Sequence, residues 1–164
     1  MSVPAREIVV RMGEYAVVRD DGVLVALGLG SCVAVILHDR HARVAGLAHV
    51  VLPSASLSRD RDRPARAAET AVPLLVGAMK AAGADVARMA ARLVGGASMF
   101  ANLLAAGTVS MGERNTLAAR AALRAAGIPI VGESVGETLG RSVWFDLRRG
   151  TAVIRSVGRE DHVL

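Results

Sequence analysis

The sequence predicts an α+β fold in a single domain. Short β-branched runs crowd the first third of the chain, two long alanine-rich helical segments separate the later strands, and no repeat or linker divides the chain. That order gives a mixed, largely antiparallel sheet with the two long helices on one face. With 164 residues, 52% of them apolar, one domain buries about 70% of its unfolded surface and needs no staples. The domain is read as residues 1–164, with an ordered core over about residues 8–157.

Ile8 to Arg11, Tyr15 to Arg19 and Val23 to Leu27 read as strands, broken by Gly13-Glu14 and by the turn signal Asp20-Asp21-Gly22. A hairpin follows. Cys32 to Leu37 and Val44 to Leu52 are apolar runs flanking the polar segment His38-Asp39-Arg40-His41-Ala42-Arg43, and Pro53 ends the second run. Ser54 to Pro64 is a polar loop with a charge run. Ala65 to Ala82 has helical composition, with Pro73 expected to kink it or restart it, and Gly83 as its stop. Met89 to Val94 reads as a buried strand entering Gly95-Gly96-Ala97, where paired glycines permit positive φ or a tight approach. A second helix opens at Gly112-Glu113-Arg114-Asn115 and stops at Gly127, ahead of Pro129. Ile128 to Ser134 is the next strand, and Ser142 to Leu147 with Thr151 to Val157 form a closing hairpin, beyond which the last residues fray.

Composition narrows the function. A lone cysteine forms no internal disulfide, and Met1 to Glu7 lacks the apolar core of a secretory signal, so a cytoplasmic location is expected. The longest apolar stretch, Val23 to Leu37, is too short and too glycine-rich for a membrane span. The net charge of +5 comes from arginine, since Lys80 is the single lysine, and arginine suits an acidic partner. Nucleic acid is disfavoured, because no aromatic stands near the cluster Arg59, Arg61, Arg63 and Arg66, which alternates with Asp60 and Asp62 as a solvated loop does.

The one cysteine, Cys32, follows the run Leu27-Gly28-Leu29-Gly30-Ser31, and His49 lies on the second arm of the hairpin. A turn centred between Arg40 and His41 sets Cys32 directly opposite His49 on one sheet face, whereas an odd loop or a bulge sets them on opposite faces. An adjacent imidazole lowers a thiol pKa from about 8.5 towards neutrality, and the pair then supports attack on an amide or ester carbonyl. Gly28, Gly30 and Ser31 are the candidates to aim backbone N–H groups at the oxyanion. A buried, inert cysteine is the competing account, and on the pair alone it is slightly favoured.

Other chemistries fit less well. The glycine run has Val33 where a dinucleotide fingerprint needs its third glycine, and no Gly-x-Ser-x-Gly elbow or phosphate loop is present. His38 and His41 fall in the expected turn, too far from Cys32 and His49 to share zinc, so neither a metal nor a cofactor is called for. Glu113, Glu133 and Glu137 have no spacing that demands acid-base work.

Gly28-Leu29-Gly30-Ser31-Cys32-Val33 and Gly46-Leu47-Ala48-His49-Val50-Val51-Leu52-Pro53 resemble the CheD chemoreceptor glutamine deamidases, as do Gly95 to Phe100, Gly112 to Asn115 and Gly140 to Asp146, in the same order. The resemblance spans Tyr15 to Val157. It implies a layered α/β sandwich, cytoplasmic chemoreceptors as substrates, and conversion of their glutamines to glutamate by Cys32 and His49 through a thioester. It further implies hydrolysis of glutamyl methyl esters and, in some members, binding to the phosphatase CheC. The family pattern usually has threonine six residues before the nucleophile to orient the histidine, and this chain has Ala26. Ser31, Thr108, Ser110 or a backbone carbonyl must then serve, or turnover falls. The alternative reading is a weakly active or inactive binding module acting on a CheC-type phosphatase or a receptor.

Overall fold

The computed structural model describes residues 3–60 and 62–164. Met1 and Ser2 of the amino-terminal segment and Arg61 of the arginine cluster lie outside the described residues. The strands are β1 (Glu7–Val9), β2 (Tyr15–Arg19), β3 (Val23–Leu29), β4 (Val33–Asp39), β5 (Val44–Val50), β6 (Ala90–Gly95), β7 (Ile130–Val135), β8 (Arg141–Asp146), β9 (Thr151–Arg155) and β10 (His162–Val163). The helices are α1 (Ala68–Ala81) and α2 (Met111–Ala125).

The α+β sandwich is as expected, but its strands divide into two sheets. One runs β1-β3-β8-β9-β10 and the other β2-β5-β4-β6-β7, each of five strands. Each sheet is mixed, with β1 parallel to β3 and β6 parallel to β7, and antiparallel elsewhere. Three layers result: the helices, the β4-containing sheet, and the β3-containing sheet.

Both faces of the middle sheet are covered, so β4 and β5 are buried at every residue and, His38, Asp39 and His49 apart, are apolar on both faces rather than alternately. On one face Val33, Val35, Leu37, Ala48 and Val50 meet Val72, Leu75, Ala119 and Leu123 of the helices. On the other, Ala34, Ile36, Ala45 and Leu47 meet Leu24, Val143, Phe145 and Ile154 of the opposite sheet. Leucine, valine and alanine fill this interior almost alone, with Phe145 the one large ring fully buried in it.

Helix α1 begins later than its composition suggests, after a short 3-10 turn at Pro64–Arg66, and runs through Pro73 without a restart. Helix α2 starts at Ser110, whose hydroxyl accepts the Glu113 N–H, and closes before Gly127 at φ 71°. The last residues are not frayed: β10 adds to β9, and Leu164 exchanges two backbone hydrogen bonds with Ala152. Of the arginine cluster, Arg59 and Arg63 are exposed, with Arg63 paired to Asp60 at 3.6 Å, whereas Arg66 is half-buried in the 3-10 turn.

Candidate functional site

The hairpin that carries Cys32 and His49 has its turn one residue later than expected. Val33 pairs with Val50 and Ala34 with His49, through to Asp39 with Val44. The reason lies in Asp39, which the sequence reading gave to the turn. Its carboxylate accepts the N–H of Ala42 at 3.1 Å and of Asp85 at 2.9 Å and meets the Arg88 guanidinium at 3.0 Å, which holds the residue in the strand. Arg43, at φ 56°, then closes the turn over Arg40–Arg43. Cys32 is therefore diagonal to His49 instead of directly opposite.

A turn centre displaced by one residue moves the pairing by two, which preserves the face. Cys32 packs with Ala34 and Ile36 into the layer between the sheets, and His49 follows Ala45 and Leu47 onto that same face. Diagonal neighbours of this kind have Cα atoms about 7–8 Å apart, within reach of a long or aromatic side chain. Among the described residues the thiol makes no hydrogen bond to the imidazole.

His49 is 4% exposed, and its Nδ1 lies 2.9 Å from the carbonyl oxygen of Val10. A carbonyl only accepts, so Nδ1 carries the hydrogen and Nε2 keeps its lone pair. Burial pushes the His49 pKa below its usual 6.5, against smaller upward pulls from Val10 and Glu14, so the ring is neutral near pH 7. The orienting partner is thus a backbone carbonyl. Ala26 sits fully buried in β3 opposite Val143, Ser110 caps α2 and bonds Ser98, Thr108 is exposed, and Ser31 offers its carbonyl elsewhere.

The expected depression of the Cys32 pKa is not what the surroundings produce. Burial raises it above 9.0, and the residue's own backbone N–H offsets this only in part. The resting pair is a neutral thiol beside a neutral imidazole.

The loop between β3 and β4 is built from its carbonyls. Gly30 O accepts from Ala97 N–H at 2.8 Å, Ser31 O from Asn115 Nδ2 at 2.9 Å, and Cys32 O from Gly96 N–H at 2.8 Å. Gly95 is what allows this approach: a Cβ there would stand 2.2 Å from the Cys32 oxygen, and φ is 116°. With its carbonyls engaged, the loop leaves the N–H groups of Gly30 and Ser31 without an acceptor among the described residues, while the Cys32 N–H faces its own sulfur. Gly28 does not share this property. It lies in a β3 bulge at φ 62°, and its N–H donates to Ser142 Oγ at 3.0 Å, which withdraws it from the candidate oxyanion donors.

Ser31 opens onto a cavity of about 380 Å³ lined by Ala97, Met99, Phe100, Leu104 and Met111. A larger groove of about 650 Å³ between α1 and α2 is lined by Pro73, Val76, Ala118 and Ala122 and holds no nucleophile. His38 is not the solvated turn residue expected, but the penultimate residue of β4, 8% exposed, with its ring edge-on to Phe145 at 5.2 Å. His41 is exposed in the turn. Glu133 and Glu137 form surface ion pairs with Arg120 and Arg159.

The family model for CheD chemotactic sensory transduction matches residues 51–156. The chain is also 41% identical over 150 residues to the chemoreceptor glutamine deamidase CheD of Thermotoga maritima, covering 92% of each protein. The chain belongs to the CheD family. Other CheD relatives carry the name probable chemoreceptor glutamine deamidase. The one from Moorella thermoacetica is 39% identical over 155 residues, covering 94% of this chain and 93% of the relative. The one from Caldanaerobacter subterraneus subsp. tengcongensis is 36% identical over 149 residues, covering 91% and 92%. The family-model match begins after both Cys32 and His49, at residue 51.

The sequence allows a backbone carbonyl as the partner of His49 without naming Val10, and it does not single out Asn115. Val10 acts through its carbonyl, which leaves no trace in residue type. Asn115 was seen only as part of a motif, although a buried amide in an alanine-rich helix is itself a signal.

Proposed function

We propose that the chain converts selected glutamine side chains of bacterial chemoreceptors to glutamate, with Cys32 as nucleophile and His49 as proton carrier. The names of its relatives support the reaction class. The observation that carries the assignment is the placement of His49: its Nδ1–H is tied to Val10 and its Nε2 is left with a lone pair, on the face that also receives Cys32.

In this reading Nε2 takes the Cys32 proton as Sγ attacks the carboxamide carbon, so the thiolate forms only as it reacts. The thiol–imidazole hydrogen bond forms on substrate engagement, by rotation about the Cys32 Cα–Cβ bond. The developing oxyanion takes the N–H groups of Gly30 and Ser31. Collapse breaks the carbon–nitrogen bond, and ammonia leaves with the proton that His49 held. Water, deprotonated by His49, then opens the thioester to glutamate and restores the thiol. A glutamyl methyl ester follows the same route with methanol leaving.

A macromolecular substrate is supported by the rim of the site. Met99, Phe100, Leu103, Leu104, Val109 and Met111 are all exposed, Phe100 by 71% and Leu103 by 82%. So many large apolar side chains in one segment suit a protein surface better than a free amino acid. A CheC-type phosphatase is a second partner for that rim. The binding-module alternative rests on Ala26; the Val10 carbonyl, which holds His49 Nδ1 without a hydroxyl at position 26, favours the active reading. No helix among the described residues is long and apolar enough to cross a membrane.

The test is incubation with cytoplasmic receptor fragments, followed by mass spectrometry of the fragments. A gain of about one mass unit at specific glutamines, the difference between amide and acid, is expected. Fragments of unchanged mass would refute the deamidase reading.

A further inference from the structure

We infer that Asn115 is a positioning residue for this reaction: its amide ties the loop carrying Cys32 to the end of the strand carrying His49 and thereby fixes the spacing of thiol, imidazole and oxyanion donors. The inference rests on the deamidase reading above.

Asn115 lies in α2 and is fully buried. The two hydrogens of its Nδ2 go to Ser31 O at 2.9 Å and to Val51 O at 3.1 Å. Ser31 immediately precedes the nucleophile, and Val51 stands two residues past His49. The β4–β5 ladder ends at the pair Val33 and Val50, so no backbone bond joins the chains beyond it. Two carbonyls are left there, and carbonyls cannot satisfy each other. The Asn115 amide supplies the missing rung. A single nitrogen with two donors and no charge meets that need, and among side chains only a primary amide offers it.

The rung also aims the chemistry. A peptide unit is planar and trans, so holding Ser31 C=O on one side directs the Cys32 N–H to the other, where the sulfur lies. The neighbouring carbonyls of Gly30 and Cys32 are anchored separately, by Ala97 and Gly96. Without Asn115 the loop keeps its two outer anchors and loses only the central one. The remaining atom of the side chain, Oδ1, is buried with no hydrogen-bond partner among the described residues. An apolar residue in that helical row, beside Ala119 and Leu123, would avoid the orphaned acceptor. Its donors are therefore the reason for the amide.

The test compares wild type with Asn115→Asp and Asn115→Leu, which keep the side chain's heavy-atom count and branching but remove the donors. Far-ultraviolet circular dichroism melts report folding, receptor-fragment deamidation reports kcat and KM, and alkylation by iodoacetamide across pH reports the thiol. Folded variants are expected to lose about 10- to 100-fold in kcat with KM within about twofold, and to show a higher alkylation midpoint as the Cys32 N–H swings off the sulfur. Unchanged kcat and midpoint in a folded variant overturn the inference. If both fail to fold, Asn115→Ser, smaller and with one donor, carries the same expectation, and failure of all three to fold assigns Asn115 to stability and overturns it too. Alkylation needs no receptor, so a wild type inactive on receptors with shifted midpoints in the variants would sink the deamidase reading and not the positioning of the thiol.

Discussion

His49 owes its orientation to one backbone oxygen, and that changes what Ala26 means. A hydroxyl at position 26 is unnecessary if Val10 already holds Nδ1. The position is also fully buried between the sheets. Ala26→Thr is therefore expected to leave kcat unraised and to destabilise the fold by about 1–3 kcal/mol through overpacking. Deamidation kinetics and a urea melt check both, and a clear rise in kcat would show that Val10 is not an adequate partner. The shared face of Cys32 and His49 was legible in the sequence, because strand parity survives a two-residue slip. The protonation states were not. Burial of the thiol depends on the second sheet, which no residue near Cys32 announces.

At the scale of elements, the loop before β4 is shaped by what approaches it. Gly95 and Gly96 let β6 and its exit lie against the carbonyls of the Cys32 loop, and Gly96 has φ 64° with the site of a Cβ only 2.1 Å from Thr116 Oγ1. Gly96→Ala is expected to cost about 2 kcal/mol or more, lowering the thermal midpoint by about 5 °C. A melt superimposable on wild type would mean the approach is slack. The sequence reading located this glycine pair and the permission it gives, and most strands and both helices. It misplaced the hairpin turn because His38 and Asp39, polar by type, are drawn into the sheet by partners distant in sequence: Phe145 for the ring, Asp85 and Arg88 for the carboxylate. Local composition carries no record of such partners.

Across the whole molecule, the division into two sheets was the least legible feature, because strands that alternate between layers look the same as neighbours in one. The loop from β3 to β4 crosses between the layers and places Cys32 where they meet. Another residue of that hairpin contributes to stability against acid. Burial alone would raise the Asp39 pKa, but N–H bonds from Asp85 and Ala42 and the Arg88 guanidinium outweigh it and bring the value from 3.8 down to about 2. A depressed carboxyl stabilises the fold above its unfolded pKa, so this contribution, about 2 kcal/mol, is present above pH 4 and is lost between about pH 4 and pH 2. Asp39→Asn is expected to be less stable at pH 7 and to flatten the stability curve in that acid window, as read by urea unfolding at several pH values. A wild-type slope retained in the variant would assign the acid sensitivity to other groups.

One thiol and one imidazole are proposed to perform the hydrolysis together. Receptor-fragment mass spectrometry with Cys32→Ala and His49→Ala beside wild type, each variant first shown to fold, decides whether they do. Mass gain is expected with wild type and none above background with either variant. Full conversion by folded Cys32→Ala would contradict it.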